Sequence, residues 1–403
     1  MIHTLDTFDL KDKRLLMRVD FNVPINNGRV TDDFRLRAAL PTIQHCLQQG
    51  AAVVLMSHLG RPKGKVVDNL SLISVGETLA DLLEMPIKFS DDCISEDARD
   101  TSLGISPGEI HLLENLRFHD EETLNDPQFS MLLSKHGDVF INDAFGTAHR
   151  AHASNVGVVD QFRQKGIGFL MEKELKYLKE SFDHPLRPVT IILGGAKIDT
   201  KLSMIKRFLS KADTIIIGGG MAFTFLKAKG LEVGSSLIDD KMLSTATQIM
   251  NEVKNQRVQL VFPSDFVCAK DLESKPDGVY LRRDIPEDLM GLDIGPKSIE
   301  KFQKIISSSK TILWNGPLGV FEQEYYAQGT KAITEKTKRN LGLIRELVEV
   351  TEAGQTTIVG GGDTVAAVRS IGFYRDVSHV STGGGAFLEL LSGETLPAFS
   401  ALR

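Results

Sequence analysis

The sequence predicts an α/β protein of two similar-sized lobes, with three layers around parallel strands. Three features predict it. Short apolar runs rich in β-branched residues recur along the chain, helical patterns lie between them, and a charged segment followed by two prolines separates two halves of similar size. The runs are RLLMRV (14–19), AAVVLMS (51–57), DVFIND (138–143), VTIIL (189–193), DTIII (213–217), QLVF (259–262), TILW (311–314), TTIV (356–359) and SHVS (378–381). Short, mostly apolar runs of this kind read as strands buried on both faces of a sheet. Between them, residues 70–84 place apolar side chains on one stripe with Ser71 as a cap, and 198–209, 239–254, 297–308 and 330–350 carry the helical period. Strand–helix alternation over the whole length implies three layers. MEKELKYLKESF (171–182) is a charged helical pattern that Pro185 and Pro188 end, so the boundary falls near residue 185. An ordinary surface helix before a loop would look the same; a helix joining two lobes is the preferred reading.

Composition narrows the class. The 403 residues are 42 % hydrophobic and 25 % charged, ordinary for a soluble globular chain and unlike a disordered, collagenous or coiled-coil one. The longest stretch free of Asp, Glu, Lys and Arg, Ala38 to Gly60, contains Pro41, glutamines, histidines and Gly50, so it is not a membrane span. The opening MIHTLDTFDLKDKR lacks an apolar core behind a basic head, so no secretory signal is expected. Three widely spaced cysteines, Cys46, Cys93 and Cys268, exclude a disulfide scaffold and a cysteine-rich zinc site, and fit a reducing cytoplasm. The net charge of −6 argues against a nucleic-acid binder. Residues 1–182 hold 20 basic and 27 acidic residues, so an anion site in that half has to be a local cluster rather than a basic surface.

Four runs in the second half end in glycine: Gly194-Gly195-Ala196-Lys197, Gly218-Gly219-Gly220, Gly360-Gly361-Gly362-Asp363-Thr364 and Gly383-Gly384-Gly385. Glycine after a strand lets the backbone turn sharply and approach a ligand, and the helix that follows offers free N–H groups suited to phosphate. In open α/β sheets these loops lie at the carboxyl ends of strands, where ligands bind. A single such turn is equally a steric requirement; four in one lobe point to a nucleotide or phosphate site. The P-loop spacing, the dinucleotide fingerprint and the protein-kinase set are all absent. Asp363 either holds a magnesium ion or caps its helix.

The first half carries RVDFNVP (18–24), Arg35, SHLGRPKG (57–64), ENLRF (114–118) and NDAFGTAHRAHAS (142–154). SHLGR and DAFGTAHR each follow an expected strand, which puts their His and Arg residues at the ligand-facing edge. Taken singly, each arginine is as readily a surface ion-pair partner, and His58, His149 and His152 as readily satisfied core histidines. Several such loops in one acidic lobe suggest recognition of phosphate or carboxylate, which arginine forks match in geometry.

RVDFNVP, SHLGRP, ENLRF, NDAFGTAHRAH, LGGAK, IGGGMAFTFL, WNGPLGVFE, GGGDT and STGGGAFLELL occur in the order found in phosphoglycerate kinases, and the chain resembles that family essentially end to end. The resemblance implies two Rossmann-like three-layer α/β/α lobes with a cleft between them: residues 1–170 bind 3-phosphoglycerate or 1,3-bisphosphoglycerate, 171–188 are the joining helix and hinge, and 189–392 bind ADP or ATP with Mg2+. The tail 393–403 then returns to the first lobe. It implies substrate contacts at Asp20, Phe21, Asn22, Arg35, His58, Leu59, Gly60, Arg61, Arg117 and Arg150. It implies nucleotide contacts at Gly195, Lys197, Lys201, Gly219, Gly220, Asn315, Glu322 (to the ribose), Gly361, Gly362, Asp363 (to the metal) and Thr364. Arg35, Lys197, Lys201, Gly361 and Gly362 are the implied catalytic set. One departure is Thr200, where many members have Asp; the Lys197–Lys201 spacing is kept. A cytoplasmic monomer acting on small molecules, without nucleic acid or membrane, is expected.

The implied chemistry needs charge management rather than a base. A carboxylate nucleophile is already ionised at neutral pH, with a reference pKa of roughly 4. Catalysis of such a transfer is alignment and electrostatic stabilisation. Two rivals stand beside this reading: a nicotinamide-dependent oxidoreductase on a similar architecture, which lacks the fingerprint, and a catalytically silent binding module, against which the retained Arg35, Lys197, Lys201 and Asp363 speak.

Overall fold

The computed structural model describes residues 2–180, 183–196, 198–330, 347, 350–370 and 376–403. Lys197, Ser181, Phe182 and most of the helical pattern 330–350 therefore lie outside the described residues. The chain forms two compact units, Met1–Lys176 with Glu394–Arg403, and Tyr177–Gly393.

The first unit contains β1 (Arg14–Val19), a small hairpin β2 (Ile25–Asn26) and β3 (Arg29–Val30), then β4 (Ala52–Met56), β5 (Lys88–Ser90), β6 (Ile110–Leu113), β7 (Val139–Asp143) and β8 (Lys165–Ile167). Six of them form one sheet in the order β5-β6-β4-β1-β7-β8, every neighbouring pair parallel. β4, β6 and β7 are buried at every position, as their mostly apolar sequences require, with His111, Asn142 and Asp143 as the buried polar exceptions. Helices Phe34–Gln48 and Ile73–Leu83 bury Leu36, Ile43, Val75 and Leu79 against the sheet. The second of these starts three residues later than the pattern suggests. Ser71 does not occupy its N-cap; its Oγ accepts from Ile73 N (3.2 Å) and donates to Glu114. The C-terminal helix Pro397–Ala401 lies in this unit: Ala398 N–H donates to Ala148 O (3.1 Å) and Phe399 packs against Phe145.

The second unit contains β9 (Val189–Leu193), β10 (Thr214–Ile217), β11 (Gln259–Val261), β12 (Asp265–Ala269), β13 (Gly278–Leu281), β14 (Met290–Ile294), β15 (Thr311–Asn315), β16 (Thr356–Gly360) and β17 (His379–Val380). Its parallel sheet runs β11-β10-β9-β15-β16-β17, so the winding direction reverses between β9 and β15. That reversal opens a crevice at the strands' carboxyl ends. The sequence runs do not reveal the antiparallel sheet β13-β12-β14. β13 alternates half-buried and exposed residues, a weaker signal than a buried run. The expected helix 171–182 is helical over Phe169–Leu175 and widens into a π-turn over Lys176–Glu180. Among the described residues no helix is long and apolar enough to cross a membrane.

Candidate functional site

Two ligand-facing edges stand out, one in each unit. In the first unit the loops after β1, β4, β6 and β7, four adjacent strands, bring basic groups together at the carboxyl edge of the sheet. After β1, Asp20 is buried and its carboxylate pairs with Arg35 (2.9 Å), while Arg35 also donates to Asn22 O (3.1 Å). Asn22 Oδ1 accepts from Gly60 N (2.9 Å), tying the β1 loop to the β4 loop. After β4, His58 is buried, and Arg18 of β1 donates to its Nδ1 (3.2 Å). A guanidinium only donates, so Nδ1 is the acceptor and the neutral ring carries its proton on Nε2. Burial holds the His58 pKa well below the ordinary histidine value, and the nearby charges of Arg18, Arg117, Arg150 and Arg35 push it the same way. His58 is a neutral donor at pH 7.

After β6, Asn115 caps the turn Leu116–Phe118 and Arg117 donates to Gly60 O (2.7 Å). Burial, then Arg150 and Arg18, bring the Arg117 pKa down to about 10, and its Nε has no partner. After β7, the turn 145–147 leads to half-buried His149 and Arg150, with Arg150 Nε donating to His149 Nε2 (3.3 Å). Arg61 is exposed and makes no ion pair among the described residues. Four arginines converging on one histidine, with Asp20 and Glu122 as the opposing carboxylates, leave an excess of positive charge suited to an anion.

Two implied substrate residues take a different place. Phe21 and Leu59 have their side chains in the core. The Phe21 N–H is held by Ser57 Oγ (2.9 Å), and Leu59 exchanges hydrogen bonds with Asn115. They fix the loops and present no side chain to a ligand. Conversely, sequence reasoning passed over Arg18, which is wholly buried on β1. It donates to Ser154 Oγ (2.8 Å), which in turn donates to Glu122 (2.7 Å). The sequence signal was available: a charge within an otherwise apolar strand is paired when buried.

In the second unit the glycine turns fall into two classes. At Gly194, Gly219 and Gly316 an added Cβ would lie 2.1–2.5 Å from backbone of the facing turn, and at Gly218 and Gly360 it would strike Leu318 and Phe387. These glycines let the turns after β9, β10 and β15 pack on one another, as the bonds Gly195 N to Pro317 O (2.7 Å) and Met221 N to Gly195 O (2.9 Å) record. For these positions the steric reading of a glycine turn applies, since the space of a Cβ is filled by the protein itself. At Gly362 nothing lies within 4 Å of that position, and at Gly384 the nearest atom is at 3.9 Å.

Gly362 and Gly384 border a cavity of about 340 Å³ that is also lined by Gly195, Lys201, Gly361 and Asp363. Helices Gly362–Ser370 and Gly384–Ser392 both begin at it, so their free N–H groups and positive ends face it. Lys201 is buried, and desolvation lowers its pKa against the opposing pull of Asp363 and Asp199. Asn315 and Thr364 brace the wall: Asn315 Nδ2 donates to Gly360 O (2.9 Å), and Thr364 Oγ1 accepts from Gly316 N (2.6 Å). A second cavity of about 370 Å³ shares Gly195 and Asp363 with the first. Its walls are mostly apolar, including Leu237, Phe266, Leu272 and Leu318, with Gly219 and Gly220 on one side and exposed Glu322 among its lining. A hollow faced by two helix starts beside a mostly apolar slot, with Asp293, Glu322 and the shared Asp363 among its lining, fits a polyphosphate, a base and a sugar. Asp363 is exposed, lines both cavities and accepts no capping bond among the described residues. A hard, free oxygen donor next to a phosphate site fits Mg2+.

Comparison with known proteins agrees with this geometry. A family model described as "Phosphoglycerate kinase" matches residues 5–394. The chain is 46 % identical over 400 residues to the phosphoglycerate kinase of Chloroherpeton thalassium, covering 99 % of this chain and 98 % of that one. It is 46 % identical over 402 residues to that of Rippkaea orientalis, covering 100 % and 98 %. Among solved structures, phosphoglycerate kinase from Coxiella burnetii superposes with a TM-score of 0.86 at 35 % identity, covering 100 % of this chain and 98 % of that one. The enzyme from Pyrococcus horikoshii superposes with 0.84 at 30 %, with the same coverage. With two parallel-sheet units, a basic edge on one and a glycine-lined double cavity on the other, the chain belongs to the phosphoglycerate kinase family, kinases that transfer phosphate to a carboxyl group.

Proposed function

We propose that the protein catalyses the reversible, Mg2+-dependent transfer of the acyl phosphoryl group of 1,3-bisphosphoglycerate to ADP, giving 3-phosphoglycerate and ATP. The observation that carries this reading is the pairing, in one chain, of an arginine-rich strand edge with a separate cavity holding a buried lysine and an exposed aspartate. The P–O bond to the acyl oxygen breaks and a P–O bond to the ADP β-phosphate oxygen forms. In reverse, the 3-phosphoglycerate carboxylate attacks the γ-phosphorus of ATP. The carboxylate is ionised at neutral pH, so neither direction needs a proton acceptor, and His58, neutral and proton-bearing on Nε2, serves as a donor to phosphate.

His58, Arg61, Arg117 and Arg150 grip the non-reacting phosphate, and Arg35, held in place by Asp20, stabilises charge on the transferred group. Lys201 and the helix start at Gly361–Gly362 take up charge on the nucleotide side, together with Lys197, which lies outside the described residues. Glu322 accepts from the ribose. Asp363 would hold Mg2+, which when bound neutralises the phosphate charges. In-line transfer requires both ligands at bonding distance, so we propose hinge closure in the doubly loaded protein. All three cysteines are free and buried, in keeping with a reducing cytoplasm. The deciding experiment is a coupled assay of ATP consumption with 3-phosphoglycerate as acceptor; no acceptor-dependent turnover would overturn the proposal.

A further inference from the structure

A third cavity, of about 850 Å³, lies in the second unit and shares no residue with the two nucleotide cavities. Its floor is β11, which pairs with β10 on one side only and forms the edge of the sheet. Val258, Leu260 and Phe262 line the floor, and Met250, Val253 and Ile305 line the walls, contributed by helices Leu243–Lys254 and Pro296–Ser308. The remaining charged lining is all of one sign: Lys229, Lys254, Lys301 and Lys304. Among the described residues no acidic side chain lines it.

The four lysines are not equivalent. Lys304 pairs with Glu300 (2.7 Å) and Lys254 donates to Asn251 Oδ1 (3.0 Å). Lys229 lies over the Phe262 ring, 4.2 Å from its centroid. Desolvation lowers the pKa of both Lys229 and Lys301; beyond that, Arg282 lowers both and Lys301 also lowers Lys229. Lys229 and Lys301 thus repel one another on the lining of an apolar hollow, and among the described residues neither is neutralised by a carboxylate in an ion pair. Folding alone does not favour that arrangement, and an anion placed among them relieves it.

We propose that this cavity binds a small amphipathic carboxylate, its apolar body against Leu260, Phe262 and Ile305 and its head group between Lys229 and Lys301. The volume lies within the range of small-molecule sites, about 300–1,000 Å³. The apolar floor excludes a bare polyphosphate. The three residues of β11 offer too few ladder bonds for an added peptide strand to be held by its backbone.

The test uses the whole enzyme saturated with MgADP, so that the nucleotide cavities are filled, and titrates decanoate by calorimetry. Saturable submillimolar binding is expected. Uncharged decanamide should bind at least about tenfold more weakly, and the double variant Lys229→Gln/Lys301→Gln should lose a similar factor. That variant should keep the wild-type melting temperature and kinase turnover, since neither residue belongs to the proposed catalytic site. Met250→Glu, which puts a carboxylate on the wall, provides an independent variant and should also weaken decanoate. Absence of saturable binding, equal affinity for decanamide, or unchanged affinity in the variants would each overturn the proposal.

Discussion

Replacing Gly219 and Gly362 separately by alanine distinguishes a glycine that packs from a glycine that cradles. Gly219 has φ +60°, and a Cβ there would lie 2.5 Å from Gly195 N and 2.8 Å from both Gly195 O and Pro317 O. Left-handed backbone costs an L-residue about 1–2 kcal/mol, and relieving an overlap in a packed region costs about 1–3 kcal/mol more. Gly219→Ala should therefore destabilise its unit by about 2–5 kcal/mol, and at roughly 2–4 °C per kcal/mol for a unit of this size its melting temperature should drop by about 5–15 °C. Gly362 opens a helix, has no left-handed φ and has nothing within 4 Å. Alanine there is neutral or stabilising by up to about 1 kcal/mol. Its methyl group nevertheless projects into the 340 Å³ cavity, where displacing a phosphate by about 1 Å costs on the order of 100-fold in rate. Differential scanning calorimetry and steady-state kinetics on both variants give the comparison. A Gly362→Ala enzyme with normal turnover and ATP affinity would refute the assignment of the helix start to the phosphate.

Other expectations follow from the same geometry. Arg35→Ala should lower turnover by roughly 100–1,000-fold while Arg61→Ala mainly raises the KM for 3-phosphoglycerate; because Arg35 also neutralises buried Asp20, Arg35→Lys should recover stability more than rate. Asp363→Asn should leave the melting temperature unchanged and raise the Mg2+ concentration needed for half-maximal activity, and a chelator should abolish turnover of the wild type; an unaltered metal dependence would remove Asp363 from the metal site. His111 and His136 share Ser102 Oγ (2.8 and 2.7 Å), and burial brings each pKa from 6.5 down to about 4. Below pH 6.5 the unfolded chain binds more protons, so stability should fall as pH drops from 6.5 to 4, by about 3 kcal/mol per independent histidine; chemical denaturation of His136→Gln across this range should show a shallower slope, and an equal slope would count against the buried pair as its source.

Much of this was legible in order of residues. β1, β9, β15 and β16 coincide with their runs to within one residue, because a strand buried on both faces is apolar at most positions. The loops that carry His58, Lys201 and Asp363 follow such runs, so their place at the carboxyl edge of a sheet was legible too; Arg117 follows β6, which no run marked. β5, β8 and β13 were not: three or four residues, or an alternating half-exposed pattern, do not stand out from surrounding coil.

The order of residues also determined that glycine turns and arginine loops would follow the strands, since strand, turn and helix are local matters of neighbouring side chains. Tertiary structure alone decided their use. Gly219 and Gly362 look alike on paper, but one faces the backbone of Gly195 and the other faces open cavity. Arg18, two residues ahead of Asp20, is drawn inward to His58 and Ser154, while Phe21 and Leu59 are turned into the core. What lies opposite a residue depends on strand order and register between segments far apart in the chain, 38 positions for β1 against β4 and 124 for β1 against β7, and no neighbour along the chain carries that information.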